Sequence, residues 1–159
     1  MSGATVRVYL PLTLEGLADL ERTGASGPAP LGVHAVTPAL REAWPDADDD
    51  ELEYAALTAA AQDSLDLPTE RPLRVVVALD VSAVDDARDP DDPTAATVAY
   101  EVPRRRVAAV HVDTVSAEPM VAEARAARGT PAYDELRERC LDHDLAWYAT
   151  QEIGDLLDR

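Results

Sequence analysis

The sequence contains no lysine, no asparagine and no phenylalanine, and its one isoleucine is Ile153. Because the codons of these residues are rich in A and T, we infer a genome of high G+C content; adaptation to salt is the alternative explanation. All 14 basic residues are arginine, and 31 acidic residues bring the formal net charge to −17. Nucleic acid and anionic membranes both require a basic surface. We expect neither of them as a partner.

Cysteine and long apolar runs are also scarce. Since Cys140 is the one cysteine, an internal disulfide and a cysteine-based zinc cluster are excluded. No apolar run approaches the roughly 20 residues that a membrane-spanning helix needs, and no basic start precedes an apolar segment in the manner of a signal peptide. We therefore expect a cytoplasmic protein.

The motifs of several large enzyme classes are missing. The chain has no Gly-x-Gly-x-x-Gly after a strand, no phosphate loop with Gly-Lys, no Gly-x-Ser-x-Gly and no His-Glu-x-x-His. Dinucleotide-dependent, nucleotide-hydrolysing, serine-hydrolase and zinc-protease functions are therefore disfavoured, and we expect no cofactor.

The chain does contain enough apolar residues for one domain, at 159 residues and 47% hydrophobic. The stretch Leu73 to Val81 predicts a central strand that is buried on both faces. Before it, Thr5 to Leu10 and Val33 to Val36 predict two strands. Each is followed by a helix with a threonine at its N-cap, Thr13 and Thr37.

The middle of the chain is acidic. Asp46 to Glu53 precede a helix, where negative side chains stabilise the N-terminus. Ser82 to Thr94 holds five aspartates and two prolines, so it predicts a surface loop that is too polar and irregular to pair. Thr97 to Val102 and Val107 to Val112 predict a hairpin that turns through Arg104 to Arg106. These three arginines would contact an acidic partner or simply offset nearby aspartates in a solvated turn.

Two helices and an ambiguous segment follow. Glu118 to Arg128 predicts one helix and Thr130-Pro131 begins another, on which Cys140 is interpreted as a core residue rather than a nucleophile. Leu145 to Leu157 fits both a strand and a helix, and we interpret it as a strand and then a short helix.

Together these elements predict a single α+β domain over residues 1–159, with an acidic surface loop at about 82–94. We expect a mixed sheet of five or six strands with helices mainly on one face. Ferredoxin-like half-repeats are one arrangement, because Thr37-Pro-Ala-Leu and Thr150-Gln-Glu-Ile resemble equivalent transitions in two halves of a fold.

Candidate chemistry lies at three places. His111 and Asp113 point the same way on a strand and, with His143, would hold ferrous iron if all three converged; otherwise His111 is a satisfied strand residue and Asp113 a helix cap. Asp80 lies near the end of the central strand, where ligands gather in open α/β sheets, or it is bonded to neighbouring backbone. Glu152 would act as an acid or base if it were buried.

The C-terminal segment predicts a ligand or partner surface, because it places aromatic rings beside hydrogen-bonding side chains. That surface consists of Trp147, Tyr148, Gln151 and Glu152. The alternative is that the aromatic residues pack in the core and that Gln151 and Glu152 are merely exposed.

Six segments together resemble a family of uncharacterised actinobacterial proteins, a domain of unknown function. The resemblance covers most of the chain apart from the acidic loop and the region of Gly129, and it implies no activity, cofactor or site residue. The segments are Val6-Arg-Val-Tyr-Leu-Pro, His34-Ala-Val-Thr-Pro-Ala-Leu-Arg-Glu, Glu51-Leu-Glu-Tyr-Ala-Ala-Leu, Arg74-Val-Val-Val-Ala, Val107-Ala-Ala-Val-His-Val-Asp and Leu145-Ala-Trp-Tyr-Ala-Thr-Gln-Glu-Ile.

On this basis we expect a non-enzymatic binding or regulatory module that meets another protein, or a second copy of itself, through the C-terminal aromatic segment. The alternative is a small metal-dependent or acid/base enzyme that uses His111, Asp113, His143 or Glu152. No residue is assigned as catalytic, and no metal ligand is assigned.

Overall fold

The computed structural model describes residues 4–159. We number its strands and helices in chain order. The strands are β1 (Val6–Leu12), β2 (Ala25–Ser26), β3 (Leu31–Ala35), β4 (Val75–Val81), β5 (Asp85–Asp86), β6 (Ala95–Val98), β7 (Val102–Pro103), β8 (Val107–Asp113) and β9 (Leu145–Tyr148). The helices are α1 (Leu14–Thr23), α2 (Pro38–Ala43), α3 (Asp49–Ser64), α4 (Glu118–Ala126), α5 (Tyr133–Arg139) and α6 (Ile153–Leu157).

The α+β class is confirmed, but the sheet differs from the prediction. It has seven strands rather than five or six, in the order β5-β6-β3-β1-β4-β8-β9, with β2 and β7 paired separately. It is antiparallel throughout rather than mixed. One sheet therefore includes strands from Val6 to Tyr148, while the single domain over 1–159 stays a prediction.

The predicted hairpin is wrong. β6 pairs with β3 and β5, whereas β8 pairs with β4 and β9. Between them the chain leaves the sheet at β7, and the 3-10 turn Arg104–Arg106 carries it across to the far side of β4. The acidic loop also differs from the prediction, because its Asp85–Asp86 forms the edge strand β5, where the carboxylates stay exposed.

One split β-α-β unit is present. β3 and β4 both lie antiparallel to β1, which separates them, so they are parallel to each other and are joined through α2 and α3. No second unit of this kind follows among residues 4–159, since β8 and β9 are adjacent and antiparallel. The predicted half-repeats are therefore wrong.

Helices cover both faces of the sheet rather than mainly one. The apolar residues of α1 and α6 pack on the face that includes Val75, Val77 and Leu79, while α3 covers the face of Val76 and Ala78 with its alanines. The reason lies in β4, whose residues are apolar on both faces, so each face needs a cover. α4 and the residues after α5 form a smaller cluster around Leu65, Val121 and Cys140.

Local interactions set several element boundaries and confirm the predicted N-caps Thr13 and Thr37. The side chains of Thr13, Thr37 and Asp48 cap α1, α2 and α3 by accepting from backbone N–H groups at 2.9–3.1 Å. Gly24 ends α1 with φ 82°, a conformation that favours glycine. The C-terminal segment is a strand followed by a short helix, as predicted.

The described part of the chain contains no helix that is both long and apolar enough to cross a membrane.

Ser64 joins three elements at the end of α3. Its buried hydroxyl donates to the Leu12 carbonyl at 2.7 Å and accepts from the Val75 N–H at 3.1 Å. We expect Ser64→Ala to lower the free energy of unfolding by about 2 kcal/mol, because both backbone groups lose a partner. Urea denaturation measures the loss. Ser116→Ala, at an exposed site, is the control and should cost less than about 0.5 kcal/mol; equal losses would contradict the role of Ser64.

Candidate functional site

A buried ion pair occupies the end of the sheet where β4 begins and β8 ends. The side chains of Arg74 and Asp113 are 2% and 0% exposed. Nε and Nη2 of Arg74 donate to the two carboxylate oxygens of Asp113 at 2.9 and 2.8 Å. The backbone N–H of Arg74 donates to the same carboxylate, and Nη2 also donates to the His143 carbonyl, both at 2.8 Å. The pair thus joins β4, β8 and the turn before β9.

This arrangement does not create the metal site that His111, Asp113 and His143 would form. Both carboxylate oxygens of Asp113 accept hydrogen bonds from Arg74, and the carbonyl of His143 accepts one from the same guanidinium. Across residues 4–159, no group of three or more His, Cys, Asp or Glu side chains could hold a metal ion. The interpretation of Asp113 as a helix cap is also wrong, because its partner is the arginine of a neighbouring strand.

His111 is a packed strand residue. Its ring meets Tyr9 edge to face, with centroids 6.4 Å apart and an interplanar angle of 61°. Burial and the positive charge of Arg7 lower the pKa of His111, while burial and the negative charge of Glu53 raise the pKa of Tyr9. Both side chains therefore favour their neutral forms, and Tyr9 packs with the alanines of α3.

Glu152 lies on the exposed 3-10 turn Thr150–Glu152 after β9. Its Oε2 accepts from the Ala149 N–H at 2.7 Å, so the carboxylate caps the turn. An acid–base role requires a buried carboxyl group, but Glu152 is exposed. The next residue, Ile153, is the one that packs in the core. The predicted acid–base geometry is therefore wrong for Glu152.

The aromatic residues of β9 lie on opposite faces of the sheet. Trp147 pairs with His111, and Tyr148 pairs with Val110. Trp147 is 61% exposed, whereas Tyr148 packs against the core on the α1 face, and the Arg159 guanidinium lies 5.6 Å from its ring centroid. The two rings therefore do not form one flat patch.

Gln151 and Glu152 follow β9 on the exposed side of its C-terminal end. Trp147 and Tyr148 belong to an edge strand of the sheet. β9 is the last strand of the sheet, so one of its two sides has no neighbouring strand among the described residues.

The carboxylate of Asp80 is also paired with an arginine. Nε and Nη2 of Arg7, its direct neighbour on β1, donate to the carboxylate at 2.7 and 3.3 Å. This bond raises the pKa of Arg7. Asp80 is thus held by a side chain rather than by the backbone, and it offers no free carboxylate to a ligand.

The sequence interpretation of Cys140 as a core residue is confirmed. The thiol lies in the cluster formed with α4, and burial raises its pKa. A buried thiol with a raised pKa has little thiolate character. It does not provide a nucleophile.

A polar network around His34 escaped the sequence analysis. The ring is 4% exposed, with Nε2 2.6 Å from Asp63 Oδ2 and Nδ1 2.7 Å from Thr94 Oγ1. Asp92 Oδ2 lies 3.4 Å from Nδ1, and Arg137 approaches Asp63 at 3.6 Å. The network attaches the end of the acidic loop to β3 and α3. The available signal was a histidine within a short apolar strand.

The chain belongs to a family of unknown function, DUF6912, whose sequence model matches residues 6–157. Neither curated proteins nor solved structures give a significant match. The predicted resemblance to a family without a known activity is thereby confirmed, while an actinobacterial origin stays a prediction. Since the family supplies no activity, the function has to be inferred from the geometry.

The Arg74–Asp113 pair has a matched counterpart in Arg7–Asp80, which joins the same two residue types across neighbouring strands. Its side chains are 38% and 34% exposed. We expect Asp113→Ala to lower the free energy of unfolding by about 3–5 kcal/mol, because it leaves a buried guanidinium unpaired. Asp80→Ala should cost about 1 kcal/mol or less. Guanidinium denaturation measures both, and a similar cost for the two variants would contradict the assignment.

We expect His34→Ala to lower the free energy of unfolding by about 2 kcal/mol, because it removes both hydrogen bonds of a buried ring and leaves the space of the ring empty. Hydrogen exchange should quicken at the Ala95 and Ala35 amides, where the acidic loop meets β3. His143→Ala is the control, since no side-chain hydrogen bond of His143 occurs within residues 4–159. Unchanged exchange at these amides in His34→Ala would show that the network does not hold the loop.

Proposed function

We propose that this protein is a non-enzymatic, cytoplasmic binding module that accepts an extended, basic segment of a partner protein along β9. The observation that carries the proposal is the free edge of this strand, whose sequence Leu-Ala-Trp-Tyr contains no charge and exposes 61% of Trp147. An added strand would bond to the backbone of β9, and Trp147 would pack on one of its side chains.

The two edges of the sheet differ in the way that this proposal requires. β5, at the other edge, consists of two exposed aspartates, and short charged strands discourage pairing with another chain. β9 has four residues, and none of them is charged. An uncharged aromatic edge is an aggregation hazard unless it has a partner, so its presence in a highly charged chain supports a binding role.

Charge indicates the kind of partner. The segment from Asp142 to Asp158 contains five acidic residues and no arginine. A basic extended segment would therefore be attracted to β9, whereas a second copy of this chain, with a net charge of −17, would be repelled. This favours a different protein over self-association.

The enzyme alternative lacks a supporting observation. Asp113 is neutralised by Arg74, His111 is packed against Tyr9, and Glu152 is exposed. The proposed side chains do not surround a common space.

Binding can be tested with two unstructured hexapeptides, one alternating valine with arginine and one alternating valine with glutamate. We expect the arginine peptide to shift the amide resonances of Leu145–Tyr148 in the ¹⁵N-labelled protein, while the glutamate peptide leaves them unchanged. Trp147→Ala should weaken binding about tenfold, or about 1.4 kcal/mol. The double variant Trp147→Ala with Tyr148→Ala should abolish it.

Trp44→Ala is the matched control, because Trp44 is 48% exposed after α2 and lies outside the sheet. It should leave the affinity unchanged. Equal responses to both peptides, or no shift at β9, would refute the proposal. Sedimentation that shows a dimer lost in the double variant would instead identify a second copy as the occupant.

A further inference from the structure

The turn Arg104–Arg106 concentrates positive charge next to a cavity. It carries three of the 14 basic residues, and it lies at the end of β4 because Val107 pairs with Leu79. A cavity of about 240 Å³ lies beside it, lined by Val81, Ser82, Tyr100, Pro103, Arg105 and Arg106.

Two of the three arginines are not neutralised. Arg104 donates to Glu21 at 2.6 Å and to the Thr150 carbonyl at 3.1 Å. Arg105 and Arg106 form no salt bridge with any residue in the range 4–159. Asp80, which also lines the cavity, is bound to Arg7. The turn therefore presents two guanidiniums that no carboxylate of the described residues pairs with.

The Tyr100 hydroxyl is hydrogen-bonded to Ser82 in the same cavity. The Ser82 N–H donates to the Tyr100 hydroxyl at 3.2 Å, and the Ser82 hydroxyl lies 3.0 Å from it. These bonds, together with the positive charge of Arg106, lower the pKa of Tyr100. The positive charge of Arg106 thus acts on the Tyr100 oxygen, even though the chain as a whole is strongly acidic.

We propose that this cavity binds a small phosphorylated molecule, with the phosphate held by Arg105 and Arg106 and by the hydroxyls of Ser82 and Tyr100. Guanidinium groups bind phosphate oxygens through paired hydrogen bonds. Val81 and Pro103 supply apolar walls for the carbon part of the ligand.

The charge of the rest of the surface limits the ligand's size. At physiological ionic strength, charges beyond about 8 Å are largely screened, so an anion confined to the cavity is attracted mainly by Arg105 and Arg106. A polyanion such as nucleic acid would extend over the acidic surface and be repelled. The site is separate from β9, and it does not depend on the function proposed for that edge.

The test uses glycerol phosphate, with glycerol and succinate as comparison ligands, and follows the amide resonances of Ser82, Tyr100 and Arg106. We expect saturable shifts with glycerol phosphate, weaker ones with succinate and none with glycerol. Arg105→Gln with Arg106→Gln should weaken binding at least about tenfold. Tyr100→Phe, which keeps the ring, should weaken it about threefold.

The control is Arg22→Gln with Arg128→Gln, which makes the same change in net charge at two exposed sites elsewhere. It should leave the affinity unchanged. An equal loss in both double variants would show that only the overall charge matters, and the proposal would fail. It would also fail if glycerol phosphate caused no shifts, or if succinate or an acidic hexapeptide bound more tightly than glycerol phosphate.

Discussion

The fold depends on the buried pair of Arg74 and Asp113. Removing two charges from water costs several kcal/mol each, and this cost is offset only when the geometry satisfies every group. Here the carboxylate accepts from the guanidinium and from the backbone of Arg74, and the guanidinium also reaches the His143 carbonyl. The start of β4, the end of β8 and the turn before β9 are therefore held together.

The two proposed binding regions both adjoin β8. The arginine turn precedes β8 in the chain, and β9 pairs with β8 at the edge of the sheet. Arg104 connects the two regions, since it reaches the Thr150 carbonyl just after β9. β9 and β5 form the two opposite edges of the sheet.

Much of the local structure could be predicted, because its causes are local. Thr13, Thr37 and Asp48 cap helices through their own side chains, and Gly24 ends α1 because glycine tolerates a positive φ. β4 lies in the middle of the sheet because its side chains are apolar on both faces, so neither face is stable in water. Strand pairing was harder to predict from the sequence. Two adjacent strands with a short connection favour a hairpin, yet β7 leaves the sheet to pair with β2 and so separates β6 from β8.

The contacts at the candidate sites were likewise not predictable from the order of residues in the chain. Asp113 and His111 are two residues apart on a strand, a spacing that permits a metal site, but nothing in their order reveals that Arg74 lies opposite Asp113. The partners of His34 come from residues 29 and 60 positions away in the chain, so no local pattern could have brought them together. The sequence by itself determined the helix caps, the buried strand, the charge and the family. Only the tertiary structure decided which charges are paired and which strand edge is open, because these depend on contacts between residues distant in the chain.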